Sequence, residues 1–138
     1  MSIERTDYAR MADQMEDHTL TPDGFSHRAH LGVAFEILRR HDVFDAMAIY
    51  ARGLRHLTRV AGVPEKFNAT ITLAFMSLVA QRMAGTDHNG AEEFLSANPD
   101  LLDKSVLTDL FPENVLHSDL ARTVPLISTM SRTVAVAA

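Results

Sequence analysis

The sequence predicts an all-α fold, a single compact, irregular helical bundle of about five or six helices. Apolar residues recur at three- and four-residue spacing along most of the chain, and no segment alternates strictly as a half-buried strand would. With 138 residues, 46% hydrophobic and 22% charged, the chain is expected to form one domain over 1–138. We expect its core within about 25–127 and a flexible tail at about 129–138.

The first half of the chain contains three predicted helices. Residues 3–17 are rich in helix formers and precede a Thr-Pro-Asp-Gly turn. Residues 26–40 are apolar around most of their circumference, which is typical of a helix at the centre of a core. Asp42 is an expected N-cap for the third helix, over about 43–61.

The second half begins with a fourth predicted helix, over about 65–84. A loop at 85–90 follows, and its His88 is expected to lie in solvent. Shorter helical segments are predicted over 92–97, 100–110 and 118–122. We expect one set of apolar side chains to be buried together: Val33, Ile37, Leu54, Ile71, Phe75 and Leu78.

Composition excludes several classes of function. The net charge of -5 argues against broad nucleic-acid binding, which needs a positive surface to meet phosphate. The absence of cysteine removes disulfides, thiolate metal sites and cysteine nucleophiles, so a metal would need histidine, carboxylate or backbone oxygen. The most apolar run, 71–80, is too short to cross a bilayer, and the charged N-terminus lacks a signal-peptide core. We therefore expect a cytoplasmic protein with no membrane partner.

A histidine pair opens the second predicted helix. His27 and His30 are three residues apart, so they share a helix face and can direct both imidazoles at one point. The positive end of the helix dipole favours neutral imidazole there, which is the form that ligates metal. Chance gives such a pair often enough that packed or capping histidines remain an open alternative.

Three blocks of the chain carry polar residues in a recognisable order. They are Phe-Ser-His-Arg-Ala-His at 25–30, Phe-Asn-Ala-Thr-Ile-Thr at 67–72 and Leu-His-Ser-Asp-Leu-Ala-Arg at 116–122. These blocks resemble the aromatic-x-His-x-x-His, (Tyr/Phe)-His-Glu-Thr-x-Thr and Leu-x-Ser-x-x-Ala-Arg motifs of an uncharacterised family of short bacterial α-helical proteins.

The resemblance implies one shared site. It would combine two histidines from one helix, a His-Glu pair from another and an arginine from the C-terminal turn, which together suit a metal centre. In this chain Asn68-Ala69 stand where the family motif has His-Glu. This departure leaves three alternatives: a two-histidine metal centre completed by water or substrate, metal-free acid–base chemistry, or lost activity.

The preferred functional hypothesis is a small enzyme acting on a small organic molecule. Its pocket would lie between the helix with His27 and His30 and the helix with Asn68 and Thr70. One histidine would act as general acid–base, with Asn68 or Thr70 orienting the substrate. In the metal-dependent version, both histidines bind one divalent transition metal (Zn, Fe, Mn or Cu); otherwise no cofactor is expected. The substrate-binding candidates are Arg122, whose guanidinium fits a carboxylate, with Phe25, Phe67 and Ile71 as apolar lining.

Two other classes of function stay open. The first is a non-catalytic helical module that binds a small apolar ligand or a protein partner. The second, weaker one is a DNA-binding regulator that contacts phosphate through a stripe of Arg52, Arg55 and Arg59. The acidic net charge of the chain instead favours a stripe that is simply a solvated helix face. The sequence also leaves open whether the chain forms a homo-oligomer.

Overall fold

The computed structural model describes residues 7–127, and every regular element in that range is helical. The all-α class is therefore confirmed, with somewhat more helices than the five or six expected. The α-helices are α1 (Tyr8–Asp17), α2 (His27–Arg40), α3 (Val43–Val60), α4 (Ala69–Met83), α5 (Ala91–Ala97), α6 (Glu113–Leu116) and α7 (Asp119–Thr123). Short 3-10 segments occupy Pro64–Lys66, Pro99–Leu102 and Lys104–Asp109. The tail expected to be flexible, 129–138, lies outside the described residues.

Helix α2 is the centre of the molecule, as its apolar circumference predicted. It packs against α1, α3, α4 and α5, and every residue from Leu31 to Ile37 is buried. Ser26 caps its start by accepting a hydrogen bond from the Ala29 N–H at 3.2 Å. A helix surrounded on all sides can bury apolar groups around its whole circumference, which accounts for the pattern.

Helix α1 belongs to the same core, which therefore begins before residue 25. Its buried face consists of Tyr8, Ala12 and Met15. Glycines on the partner helices allow the close approach: a Cβ on Gly32 would lie 2.6 Å from the Tyr8 ring, and one on Gly53 would lie 2.3 Å from the Met15 side chain. Helix α1 thus packs closely on α2 and α3 because Tyr8 and Met15 occupy the space beside Gly32 and Gly53.

Two clusters of apolar side chains hold the molecule together. The main cluster joins α1 to α5, and a smaller one forms around Leu107, Phe111 and Leu116. Of the six residues expected to be buried together, Val33, Ile37 and Leu54 are buried in the main cluster. The other three are half-buried: Phe75 and Leu78 pack against both clusters, whereas Ile71 packs against the smaller one.

The predicted boundaries of the fourth helix and of the 100–110 segment are wrong. Helix α4 starts at Ala69 because Asn68 is extended and caps it, accepting from the Ile71 N–H at 2.9 Å. The segment at 100–110 is two 3-10 turns rather than one α-helix, since Asp103 is extended and its carboxylate caps the second turn.

His88 lies in the core rather than in solvent. Its side chain is only 7% exposed, and the ring stands edge-on to Phe94 and Phe35 with centroid separations of 5.4 and 6.3 Å. Its Nδ1 has no hydrogen-bond partner among the described residues; Glu93 is the acid beside it, at 3.5 Å. The loop folds back over α2 and α5, so this imidazole caps the aromatic part of the core.

No helix within residues 7–127 is both long and apolar enough to span a bilayer.

Candidate functional site

The predicted site residues fall into two separate environments. His27, His30 and Phe25 lie at the start of α2, beside the Pro99–Leu102 turn and the middle of α4. The remaining predicted site residues contact the C-terminal segment, residues 107–127, or lie within or next to it. They are Asn68, Thr70, Ile71, Phe67 and Arg122.

The His27 imidazole is held by a backbone contact. Its Nε2 donates to the Leu101 carbonyl at 3.0 Å, and its ring lies edge-on to Phe75 with centroids 5.1 Å apart. Burial lowers the pKa of His27, and the positive charge of Lys104 adds to that effect, while the Leu101 carbonyl opposes it. The ring is therefore neutral at physiological pH and is fixed in orientation by the turn that it contacts.

The His30 imidazole is more deeply buried. It stacks on Phe25 with ring centroids 4.1 Å apart. Burial lowers its pKa to about 4, and the nearby His27 and Lys104 charges act in the same direction. His30 is thus a half-buried, neutral imidazole that packs on Phe25 at the edge of the main core.

A third metal ligand does not join the two histidines within the described part of the chain. No group of three or more histidine and acidic side chains converges there as a metal would require. The residues in 7–127 therefore do not fit a metal centre with three protein ligands.

Asn68 is an anchor for the C-terminal segment. Its side-chain oxygen caps α4, and its amide nitrogen donates to the Leu116 carbonyl at 2.7 Å. Phe75, which contacts His27, lies seven residues further along α4, about 10 Å along the helix axis. Asn68 therefore lies about two turns of α4 before the residue that contacts His27, and both the oxygen and the nitrogen of its side-chain amide are hydrogen-bonded within the chain.

Thr70 makes the same kind of connection. Its hydroxyl donates to the Val124 carbonyl at 3.1 Å and accepts from the Leu126 N–H at 2.9 Å. Both hydrogen bonds join α4 to a segment more than fifty residues away in sequence. Thr70 is fully buried, so these bonds satisfy a hydroxyl that would otherwise be costly to bury.

A cleft opens beside these anchors, between the end of α3, the Pro64–Lys66 turn and α7. Its volume is about 200 Å³. Its lining residues are Arg55, Thr58, Arg59, Pro64, Phe67, Arg122 and Thr123. Two residues expected to bind substrate, Phe67 and Arg122, therefore meet in one concave surface, away from the histidine pair.

The cleft is strongly basic for an acidic chain. Arg55 and Arg59 make no ion pair or side-chain hydrogen bond with any residue in 7–127, and the Arg55 guanidinium lies 5.9 Å from the centre of the Phe67 ring. Arg122 is held in place: it donates to the Glu65 carbonyl at 2.8 Å and pairs with the exposed Asp119 at 3.0 Å. Of the three cleft arginines, Arg122 is thus the one with an acidic partner among the described residues.

In the sequence these arginines carry no sign of a shared site. Arg55 and Arg59 appeared as part of a solvated stripe, and Arg122 as a lone anion-binding candidate. Helix periodicity places Arg55 and Arg59 on one face of α3, but only the folded chain brings Phe67 and Arg122 against that face.

Comparisons with known proteins add no assignment: neither a protein-family model, nor a curated protein, nor a solved structure shows significant similarity to the chain.

Proposed function

We propose that the protein is a non-catalytic helical binding module whose arginine-lined cleft recognises a carboxylate-bearing group with an apolar part. One observation carries this proposal: Arg55, Arg59 and Arg122 converge on a cleft that Phe67 and Pro64 also line. Guanidinium groups present planar forks that match carboxylates, and an aromatic ring beside them offers a surface for an apolar group.

The state of each arginine supports a recognition role. Arg122 is already oriented by two hydrogen bonds, so binding to it requires little ordering of its side chain. Arg55 and Arg59 have no acidic partner within the described residues, so their positive charge is available to a ligand. Because the whole chain carries a net charge of -5, this basic cleft is a local feature.

The size of the cleft limits the ligand. A volume of about 200 Å³ is below the range of roughly 300–1,000 Å³ that is typical of sites for drug-sized molecules. We therefore expect either a small organic acid or a few side chains of a protein partner. Nucleic acid is not the partner we propose, since the acidic remainder of the surface would repel its backbone.

The enzyme hypothesis stays a prediction, and so does a cytoplasmic location. Catalysis at the histidine pair requires a substrate to reach His30, which is packed on Phe25, and to reach Asn68 about two turns away along α4. The binding hypothesis requires no such rearrangement, and for that reason we favour it.

A titration with benzylsuccinate tests the proposal, because this molecule combines two carboxylates with one aromatic ring. We expect about millimolar affinity by calorimetry or by amide chemical-shift changes at the cleft. Arg55→Gln and Arg122→Gln should each weaken binding by roughly tenfold, the value of a charge-assisted hydrogen bond. Arg52→Gln is the matched control, since it removes the same charge from α3 outside the cleft and should leave the affinity unchanged.

The uncharged analogue benzyl alcohol should bind at least tenfold more weakly than benzylsuccinate. Equal loss of binding in Arg52→Gln and Arg55→Gln would mean that only the general charge of α3 matters. That result, or chemical-shift changes confined to the histidine pair, would refute the cleft as the binding site.

A further inference from the structure

The start of α3 presents an aromatic side chain to solvent between two acids. Phe44 is 79% exposed, more than any other aromatic residue in 7–127. Asp42 and Asp45 flank it, and neither carboxylate has a cationic partner within the described residues. This segment has the chemistry that the cleft favours: carboxylates beside an aromatic ring.

These two acids are held close to one another. The Asp45 carboxyl, when protonated, donates a hydrogen bond to the Asp42 carboxylate, and this bond together with the negative charge of Asp42 raises the pKa of Asp45. A cation placed beside this pair would relieve the repulsion between the two carboxylates.

Phe44 at the acidic end of α3 and Arg55 at its basic end share one face of the helix. Phe44 and Arg55 are eleven residues apart, which places them within about 20° of each other around the helix. Ala48 and Ala51 lie between them on that face, and both are half-buried. The face therefore runs from Phe44, with Asp45 about 100° to one side of it, through small side chains to Arg55.

We propose that the cleft of one copy receives the Asp42–Asp45 segment of a second copy, so that two α3 helices pair antiparallel about a two-fold axis. This inference rests on the proposed function, because it names the partner of the same cleft. Charge complementarity carries it: each acidic end meets the other copy's arginine end, and the two-fold axis makes both contacts at once.

Helix dimensions agree with this arrangement. If the two-fold axis passes close to residue 50, Asp45 of one copy is level with Arg55 of the other copy. Phe44 of the first copy is then level with His56 of the second. The two Asp45–Arg55 contact points are then about 15 Å apart along the helix. Alanines at the crossing allow the helix axes to approach to about 8–10 Å, the usual packing distance. The Phe44 ring would enter the cleft next to Phe67.

Sedimentation equilibrium across a range of protein concentrations tests this proposal. We expect a monomer–dimer equilibrium in the native chain. Phe44→Ala and Arg55→Asp should each raise the dimer dissociation constant at least tenfold. Val60→Ala is the matched control, because Val60 is 57% exposed on the same helix but points about 160° away from Phe44, and this variant should dimerise normally.

A charge exchange sharpens the test. Asp45→Arg should weaken the dimer, and adding Arg55→Asp to the same chain should restore it, because every paired position then again holds one acid and one arginine. Benzylsuccinate should also shift the native chain towards monomer by competing for the cleft.

The two proposals fail in different ways. A chain that is monomeric at every concentration, yet binds benzylsuccinate through Arg55, would overturn the dimer and leave the cleft in place. A dimer that is indifferent to Phe44→Ala, or that the double charge exchange does not restore, would also overturn it. Failure of Phe44→Ala, as a folded monomer, to bind benzylsuccinate would instead remove the proposed function.

Discussion

At the scale of single residues, the buried imidazole of His30 makes the free energy of unfolding depend on pH. In the folded chain its pKa is about 4, whereas an unfolded histidine has a pKa of about 6.5. Above pH 6.5 both states are neutral and His30 contributes nothing. Between pH 6.5 and 4 only the unfolded chain binds the proton, so the folded state loses stability as pH falls, and below pH 4 the loss is complete.

We predict that His30→Gln removes most of this pH dependence. A pKa shift of this size lowers the free energy of unfolding by about 3 kcal/mol once the pH is below both pKa values. Urea unfolding at pH 7 and pH 4.5 measures this change in the free energy of unfolding. The carboxylates contribute equally to the native chain and to the variant, so their contribution cancels when the two are compared. His27→Gln is the control and should remove less, because His27 is less buried. Identical pH dependence in the native chain and His30→Gln would show that this imidazole is solvated.

Asn68 and Thr70 show why the role of a polar residue is hard to predict from sequence. The sequence predicted that both lie in the first turns of the fourth helix, although Asn68 caps the helix rather than lying inside it. Their partners were not predictable, because Leu116 and Val124 lie 48 and 54 residues further along the chain. Only the folded arrangement shows that both side chains connect α4 to the C-terminal segment.

At the scale of elements, the sequence predicted the long helices and also the short helices α5 and α7, but it did not predict α6 or the 3-10 turns between Pro99 and Asp109. Helices α2 and α3 have N-caps at Ser26 and Asp42, and their apolar periodicity extends over three turns or more. The segment from Pro99 to Asp109 has no such repeat, and its 3-10 turns follow from one proline and one side-chain cap. The cleft depends on the packing of short elements, which explains why its members appeared unrelated in the sequence.

The docking of α1 on α3 gives a prediction at this scale. Gly53→Ala adds a methyl group that would lie 2.3 Å from the buried Met15 side chain. Alanine favours a helix over glycine by about 1 kcal/mol, but overpacking costs about 1–3 kcal/mol. We expect a net loss of about 1 kcal/mol in the free energy of unfolding, measured in urea. A more stable variant would show that Met15 can move aside at no cost.

At the scale of the whole molecule, the binding surfaces depend on two apolar clusters acting as one unit. The smaller cluster supports the segment that carries α7, and hence Arg122, while the main cluster supports α3 and its two arginines. Phe75 and Leu78 contact both clusters. The cleft therefore keeps its shape only while α4 holds the two clusters together.

We predict that Phe75→Ala weakens this connection before it unfolds the domain. The side chain is half-buried, so the loss in the free energy of unfolding should be about 2–3 kcal/mol, below the range for a fully buried phenylalanine. Because Phe75 joins the clusters, amide hydrogen exchange should accelerate first around Leu107, Phe111 and Leu116. Phe44→Ala is the matched control: the same substitution at an exposed site should change the stability of the monomer by less than about 0.5 kcal/mol. A uniform increase in exchange over both clusters would mean that they unfold as one cooperative unit even without the Phe75 ring.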